Sequence, residues 1–568
     1  MKQSIRSLGE SIFLLVILLV FDSVAKASEY QFAETNLFDC CCIKMLRLVD
    51  DNPEKPLVQV SVDIDGGVIA NRFKKTDWVQ VGCISESLRT AIVGWGPFGD
   101  NRPTNTIKMV LSPSGVNEWS FFFEFQTEDS HDHTEIPFNS VFCFDNMSPM
   151  IANKNGEIVA APSQPDLCVV LVDSLRPDHL GCYGYERDTS PAIDAFAAGA
   201  VRFDQAIASG SWTQPSIMSM MTSVPADVHQ RVHWGRPHST NVVTLAETLQ
   251  KAGYQTVGLV ANPMTNRKYG FARGFDFYDD YSLTGAPDAT TGDIARQTAQ
   301  GAKLTRIAQD WIERRRDPEK PLFLFVLYID VHWDYLPPPP FNRMFAPDPV
   351  PPPRDIWNLG RKSVPEAARR RSVAAYDGEI RYTDGCISNL LAAIEASPRG
   401  KDTVVVFCSD HGESFWERGV ASHGNALHEE ELRVPLVIRP ARGDGEPAPP
   451  RVVSEQVSLI DLAPTLADLA GVPAPTNWVG RSLAPALRGE TLPEVPVVLD
   501  NRIGDDGAVL RGVRTSRWKV VAGPPHDRPD ELYDLRADPA ETNNLLRAGG
   551  FALPPEVEAL VPLLKPVR

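Results

Sequence analysis

Residues 167–173 read LCVVLVD, a short apolar run rich in β-branched residues that ends on a carboxylate. Similar runs recur at residues 256–261, 322–328 and 403–408, and amphipathic segments with helical spacing lie between them. Short apolar strands that alternate with helices are typical of a mainly parallel sheet covered on both faces. The pattern therefore predicts a large α/β domain.

Two helices and one loop can be placed from local signals. One helix is predicted at residues 191–200, where Ser190 can cap and Pro191 suits the first turn. Another is predicted at residues 243–252, closed by Gly253. Residues 337–353 are dense in proline, which has no amide hydrogen, and are predicted to form an irregular surface loop.

The chain of 568 residues is too long for a single core, and its composition of 43% hydrophobic and 23% charged residues is that of a globular protein. Alternating and aromatic runs predict a β-rich N-terminal domain at residues 28–164. The α/β domain is predicted at residues 165–500. A small C-terminal α+β subdomain is predicted at residues 501–568.

The N-terminus has the features of a secretory signal peptide at residues 1–27. Lys2 and Arg6 precede an apolar run at residues 12–21, and Ala25-Lys26-Ala27 offers a cleavage site. The alternative is an uncleaved anchor, although a span needs about 20 apolar residues. No later stretch has the length and apolarity of a span, so export to the periplasm or the extracellular space is predicted.

Charge and cysteine content limit the other classes of partner. A formal net charge of -17 argues against nucleic-acid binding, which requires clustered basic residues. Nine cysteines leave at least one unpaired in an exported chain, and their pairing stays open. For the cluster Cys40-Cys41-Cys42, lipidation and zinc binding are minor alternatives.

Polar residues at the ends of the apolar runs indicate where chemistry takes place. Functional groups collect at the carboxyl ends of parallel strands. Asp173 ends the first run, and Asp410-His411 follow the run at residues 403–408 by one residue. Asp173 alone could equally be a turn or cap residue. A carboxylate beside an imidazole suits a divalent cation with mixed oxygen and nitrogen ligands.

Thr213 lies at the start of a predicted helix, with Pro215 in the first turn. The amide groups and the positive dipole end at a helix N-terminus favour a phosphate or sulfate. They also favour an alkoxide on the threonine. The alternative is that Thr213 only caps the helix, because threonine is a common cap.

Several motifs together resemble those of the sulfatase family in the alkaline phosphatase superfamily. The resemblance runs over roughly residues 165–545 and rests on LVDSLRPDHLGCYG at residues 171–184, WTQPS at 212–216, Asp330 with His332 and Tyr335, SDHGE at 409–413, HGN at 423–425, DLAPT at 461–465 and ELYDL at 531–535. It implies an alkaline phosphatase-like, mainly parallel sheet flanked by helices.

The resemblance also implies roles for individual residues. Asp173, Asp410 and His411 would hold a divalent cation such as Ca, Mn or Zn, with Thr213 bridging to it as the nucleophile. His332 would face the substrate, and His423 would bind the transferred group or protonate the leaving oxygen. The alternatives are that His332 packs beside Trp333 and that His423 is a loop residue. Asp330 fits either a second metal or a structural hydrogen bond.

Two segments depart from the family pattern. Many relatives have paired acidic residues where this chain has Asp173-Ser174, so one carboxylate is absent. Sulfatases that depend on formylglycine carry Cys or Ser followed by x-Pro-x-Arg, whereas residues 213–217 read TQPSI. Formylglycine is therefore not expected, and an intermediate on Thr213 must be cleaved by water.

The sequence thus predicts an exported, metal-dependent, sulfatase-like hydrolase that cleaves anionic sulfate or phosphate esters through Thr213. One alternative is a non-catalytic, metal-containing protein that binds sulfated or phosphorylated polymers. Another is a transferase of phosphorylated head groups, a class whose members usually have several membrane spans. The sequence makes no prediction of oligomeric state.

Overall fold

A computed structural model describes residues 164–230, 241–280, 300–317, 320–346, 364–442, 449–503, 508–526, 528–547 and 551–565, together with strands between residues 30 and 160. The chain divides into two compact units, Met1–Ser163 and Gln164–Arg568. The predicted leader at residues 1–27 and the side chains of Cys40, Cys41 and Cys42 lie outside the described residues.

The described residues of the first unit form antiparallel strands. One sheet contains Tyr30–Gln31, Asn36–Leu37, Cys41–Leu48 and Val58–Asp63. A second contains Trp78–Ser85, Thr90–Gly96, Asn105–Gly115, Glu118–Thr127, Ser130–Glu135, Met150–Ala152 and Ile158–Ala160. These strands agree with the β-rich character predicted from the alternating runs.

The second unit is built on an eight-stranded sheet. In spatial order its strands are Phe277–Asp279, Gln255–Val260, Leu322–Tyr328, Asp166–Val172, Thr403–Ser409, Arg433–Arg439, Val201–Ile207 and Arg451–Ser458. Only Arg433–Arg439 runs antiparallel to its neighbours. The prediction of a mainly parallel sheet is confirmed, and all four predicted strands lie in it.

Both faces of the central strands of this sheet are buried, which explains why Leu322–Tyr328, Asp166–Val172 and Thr403–Ser409 are almost entirely apolar. Along Asp166–Val172, Leu167, Val169 and Leu171 enter one core, and the residues between them enter the other. This is the two-residue alternation of an extended strand. Helices Thr213–Thr222 and Leu462–Leu469 cover the first face, and helices Pro191–Ala198 and Glu366–Ala396 cover the second.

Further α-helices in the described part of this unit are Ala226–His229, Leu245–Lys251, Gln300–Asp310, Glu429–Leu432, Ala484–Leu487 and Pro555–Glu558. The helix predicted at residues 243–252 is shorter, because Thr244 forms a capping box with Glu247 and thereby sets its start. The proline-rich loop contains a short 3-10 turn at Phe341–Arg343 within its described part.

The prediction that the Ser190 side chain caps helix Pro191–Ala198 is wrong. Ser190 stands at the cap position, but its hydroxyl makes no cap bond, because it accepts from the Gly181 amide and donates to Asp194. The helix amides of Ala192 and Ile193 donate instead to Asp384, at 3.0 and 2.8 Å. A carboxylate from a distant helix therefore replaces the local cap.

A four-stranded antiparallel sheet follows, formed by Val497–Ile503, Ala508–Arg514, Trp518–Ala522 and Glu531–Asp534. It packs on the short helical turns Pro555–Glu558 and Val561–Leu564 through a small core of its own. The boundary proposed between residues 500 and 501 falls inside the first of these strands. None of the helices in the described part of the chain has both the length and the apolarity needed to cross a membrane.

Candidate metal and nucleophile site

Two carboxylates meet at one edge of the large sheet. Val172 is in register with Ser409 of the neighbouring parallel strand, so Asp173 and Asp410 leave the sheet side by side. The amide of Ser174 donates to Asp410 Oδ1 at 3.2 Å. Both carboxylates are fully buried. The level register explains why residues 237 positions apart in the sequence form one site.

Asp173, Asp410 and His411 form a group that can hold a cation. One ligand atom from each lies within 4.8 Å of the others. His411 Nε2 is 3.6 Å from Asp173 Oδ1 and 3.4 Å from Asp410 Oδ2. Asp410 Oδ2 is buried and accepts no hydrogen bond from the residues that the structure describes. Because a buried carboxylate oxygen is costly without a partner, this donor set fits a divalent cation.

Thr213 is the first residue of helix Thr213–Thr222, and Trp212 occupies the cap position without a side-chain cap bond. Thr213 is therefore not the helix cap. Its hydroxyl lies 3.4 Å from His411 Nε2. Ser216, in the same first turn, donates to the Asp410 carbonyl at 2.6 Å and ties the helix to the strand end. The helix thus places the Thr213 hydroxyl beside the metal-binding group.

Asn262 completes this part of the site, and the sequence analysis missed it. It follows strand Gln255–Val260, and its amide donates to Asp173 Oδ2 and, at 3.4 Å, to Thr213 Oγ1. The side-chain oxygen Oδ1 of Asn262 accepts a hydrogen bond from the Met264 main-chain amide at 2.8 Å, which fixes the orientation of the side chain. A polar residue at the end of an apolar run was the available signal, the same one that identified Asp173.

His423 lies next to the metal-binding group, and its ring centroid is 4.3 Å from that of His411. Its Nδ1 is 3.1 Å from Glu413 Oε1 and 3.5 Å from Ser174 Oγ. Both contacts use Nδ1, so Nε2 is the nitrogen available to a ligand. Glu413 is the last residue of the SDHGE motif, and no role was predicted for it from the sequence.

The site lies in a part of the chain that matches a known protein family. Residues 165–472, more than half of the chain, match the family model described as Sulfatase. The chain belongs to the sulfatase family. Residues 423–553 also match the model described as N-sulphoglucosamine sulphohydrolase, C-terminal. The predicted membership in the alkaline phosphatase superfamily is confirmed, and with it the class of sulfuric or phosphoric ester hydrolases.

The relatives of this chain include sulfatases from an animal and a bacterium. It is 27% identical to iduronate 2-sulfatase of Mus musculus over 386 residues, 55% of this chain and 69% of the relative. It is 24% identical to a Δ4,5-hexuronate-2-O-sulfatase of Bacteroides thetaiotaomicron over 434 residues, 69% of this chain and 86% of the relative.

Solved structures share the fold at low sequence identity. A protein in complex with its substrate D-glucosamine-2-N,6-O-disulfate aligns with a TM-score of 0.58 and 20% identity, over 71% of this chain and 97% of that one. A phosphonate monoester hydrolase of Agrobacterium radiobacter aligns with a TM-score of 0.56 and 22% identity, over 67% of this chain and 91% of that one.

The two carboxylates of the metal-binding group have opposite pKa shifts. Burial opposes ionisation of Asp173, yet three nearby imidazoles outweigh it and lower the pKa of this group. Burial and the Asp173 charge raise the pKa of Asp410 well above its usual range. Two negative charges this close are unfavourable without a cation, so cation binding should release a proton from the pair.

Glu413 and His423 also have opposite pKa shifts. Burial raises the pKa of Glu413 to about 8. Burial, together with the neighbouring rings of His411 and His332, lowers the pKa of His423 well below its usual value. In the metal-free chain both shifts favour a protonated Glu413 that donates to Nδ1 of a neutral His423.

His332 and Asp330 follow strand Leu322–Tyr328, but only His332 lies close to His423, with ring centroids 4.9 Å apart. Its Nδ1 contacts the Trp333 carbonyl at 2.6 Å. Asp330 is not part of the metal-binding group. Backbone amides of residues 300 and 301 donate to it, as the alternative of a structural hydrogen bond predicts, and burial raises its pKa to about 6.

Glu431 gives a testable pH dependence of stability. It accepts from Ser414 Oγ at 3.0 Å and the Asn425 amide at 3.1 Å, and burial raises its pKa to about 8. The folded chain therefore keeps this proton while the unfolded chain loses it, so the free energy of unfolding falls as pH rises from about 4.5 to 8. Glu431→Gln, which cannot ionise, should lose less stability over this range.

Denaturant unfolding at pH 5 and pH 8.5 measures this difference. Glu366→Gln, which alters a side chain 64% exposed, is the matched control and should follow the unmodified chain. An equal loss of stability in Glu431→Gln and the unmodified chain contradicts the prediction.

Proposed function

We propose that this chain is an exported, metal-dependent hydrolase of sulfate or phosphate esters that uses Thr213 as its nucleophile. The observation that carries the proposal is the Thr213 hydroxyl at a helix N-terminus, 3.4 Å from His411 Nε2, beside two buried carboxylates. The family relationship supports the ester class. The leader predicted at residues 1–27 points to export, and N-terminal sequencing of the exported protein tests whether the leader is cleaved.

Asp173, Asp410, His411 and Thr213 would hold the cation. When bound, it would supply charge stabilisation to the ester oxygens and lower the pKa of the Thr213 hydroxyl. An imidazole donor is uncommon for Ca²⁺, which takes oxygen ligands. Ser174 occupies the position where relatives offer a further carboxylate. Of the cations considered, Mn²⁺ and Zn²⁺ therefore suit these residues better than Ca²⁺.

Side chains of the protein carry out nucleophilic attack, proton transfer and positioning. Thr213 Oγ, its proton released to solvent, bonds to the phosphorus or sulfur atom as the bond to the leaving oxygen breaks. His423 Nε2 gives that oxygen a proton while the protonated Glu413 passes its own proton to Nδ1, so the ring stays neutral and keeps its orientation. Glu413 then regains a proton from solvent. Asn262 donates to Thr213 and Asp173 and fixes both. Water then cleaves the ester on Thr213.

We expect phosphate esters to be better substrates than sulfate esters. A formylglycine hydrate can expel sulfate by elimination, whereas a plain threonine ester must be hydrolysed. Aryl phosphodiester and aryl sulfate with the same phenol leaving group should therefore differ, with the higher kcat/KM for the phosphodiester. Turnover of the two at matched metal concentration measures the preference. Faster turnover of the aryl sulfate contradicts the expected preference for phosphate esters. If the metal-loaded chain turns over neither substrate, the alternative of a non-catalytic binding protein is supported.

A further inference from the structure

The segment that carries His423 lies between the nucleophile helix and the C-terminal sheet. The His423 segment, residues 423–429, is held at its first end by the Gly424 amide, which donates to the Ser211 carbonyl at 2.8 Å. Ser211 precedes Thr213 by two residues. The other end of the segment faces strands Ala508–Arg514 and Trp518–Ala522. His423 therefore depends on contacts at both ends of its segment.

Lys519, in the C-terminal sheet, has a fully buried side chain. Its Nζ donates to the Leu427 carbonyl at 3.0 Å and pairs with Glu429 Oε1 at 2.8 Å and Glu541 Oε1 at 2.6 Å. A buried ammonium group is costly unless its protons are all satisfied. Three acceptors, two of them in the His423 segment, provide that satisfaction.

Glu541 binds the same segment from a second direction. Its Oε2 accepts from the Glu429 amide at 2.9 Å and lies 3.2 Å from His428 Nδ1. Arg514 adds two bonds of 2.9 Å to the Glu429 carboxylate. Burial opposes ionisation of Glu541, but Lys519 outweighs it and the pKa of Glu541 is lowered. Charged side chains outside the His423 segment therefore bind both the carboxylate and the backbone amide of Glu429.

We propose that Lys519 and Glu541 are positioning residues for His423, so that the C-terminal sheet takes part in protonation of the leaving oxygen. This inference rests on the proposed function of His423. Removing the Lys519 cation takes away the positive charge that Glu429 and Glu541 share and the donor to the Leu427 carbonyl, and it leaves Glu429 paired with Arg514 and Glu541 with Arg418. Loss of this shared partner displaces the His423 segment while the metal-binding group, held by other strands, stays in place.

The test uses Lys519→Met in the full chain, with methyl aryl phosphodiesters whose phenols span a range of acidity. A misplaced proton donor matters most for poor leaving groups. We expect kcat to fall roughly 10²-fold for the least acidic phenol and little for the most acidic. KM and metal content should stay unchanged. Arg517→Met is the matched control, because Arg517 is a half-exposed cation of the same sheet, paired with Asp534.

Combination with His423→Ala separates this inference from the proposed function. Lys519→Met should add no further loss in the His423→Ala background, because its effect passes through that ring. Additive losses, or equal losses for all phenols, overturn the positioning role and leave the proposed function intact. If His423→Ala itself leaves the dependence on the phenol unchanged, the proposed role of His423 fails. If Lys519→Met does not fold, Glu541→Gln is judged by the same criteria.

Discussion

Thr213→Ala is expected to abolish turnover while the chain stays folded and keeps its metal. Loss of a nucleophile costs roughly 10⁴-fold or more in kcat, because only binding and charge stabilisation remain. Stability should change by less than about 1 kcal/mol, because the Thr213 hydroxyl makes only long contacts of 3.4 Å. Single-turnover kinetics, metal analysis and thermal melting measure the three quantities.

Thr213→Ser is the matched control, because it keeps a hydroxyl at the same helix start and should retain measurable turnover. Trapping of a phosphorylated or sulfated peptide that contains residue 213 in the unmodified chain gives independent support. Near-normal kcat in Thr213→Ala means that another group or a water molecule attacks the ester, and the nucleophile assignment then fails.

Asp410→Asn is expected to have the second largest effect, through the cation. It removes a charged ligand whose Oδ2 has no hydrogen-bond partner. We expect kcat/KM to fall roughly 10³-fold, because several kcal/mol of charge stabilisation are lost. In the unmodified chain, a cation at about 100 times its Kd should add about 2.7 kcal/mol to the free energy of unfolding. The variant should lose most of this gain.

Without metal, the same substitution should act in the opposite direction. Burial and Asp173 raise the pKa of Asp410, so its ionisation at high pH is destabilising. At pH 8, metal-free Asp410→Asn should therefore melt above the metal-free unmodified chain. Asp188→Asn, which changes a side chain 76% exposed, controls for the loss of a carboxylate. Equal stabilisation by added Mn²⁺ in the Asp410→Asn variant and the unmodified chain argues against a metal site at Asp410.

The two missed members of the site differ in how they could have been found. Asn262 ends an apolar run just as Asp173 does, so the strand-end rule applied to amides would have identified it. Glu413 could not be assigned in this way. Its contact with His423 depends on the path of the nine residues between them, which local sequence does not specify.

Short apolar runs rich in β-branched residues identified the strands, because such runs are typical of a parallel sheet that is buried on both faces, and the residue after each run identified the polar side chains at the strand ends. Strand order and level register, which no local pattern contains, bring Asp173, Asp410 and Asn262 together. The same holds for Asp384 at a distant helix start and for Lys519 behind the His423 segment. Local patterns record burial, whereas long-range partners follow from packing that no short stretch of chain contains.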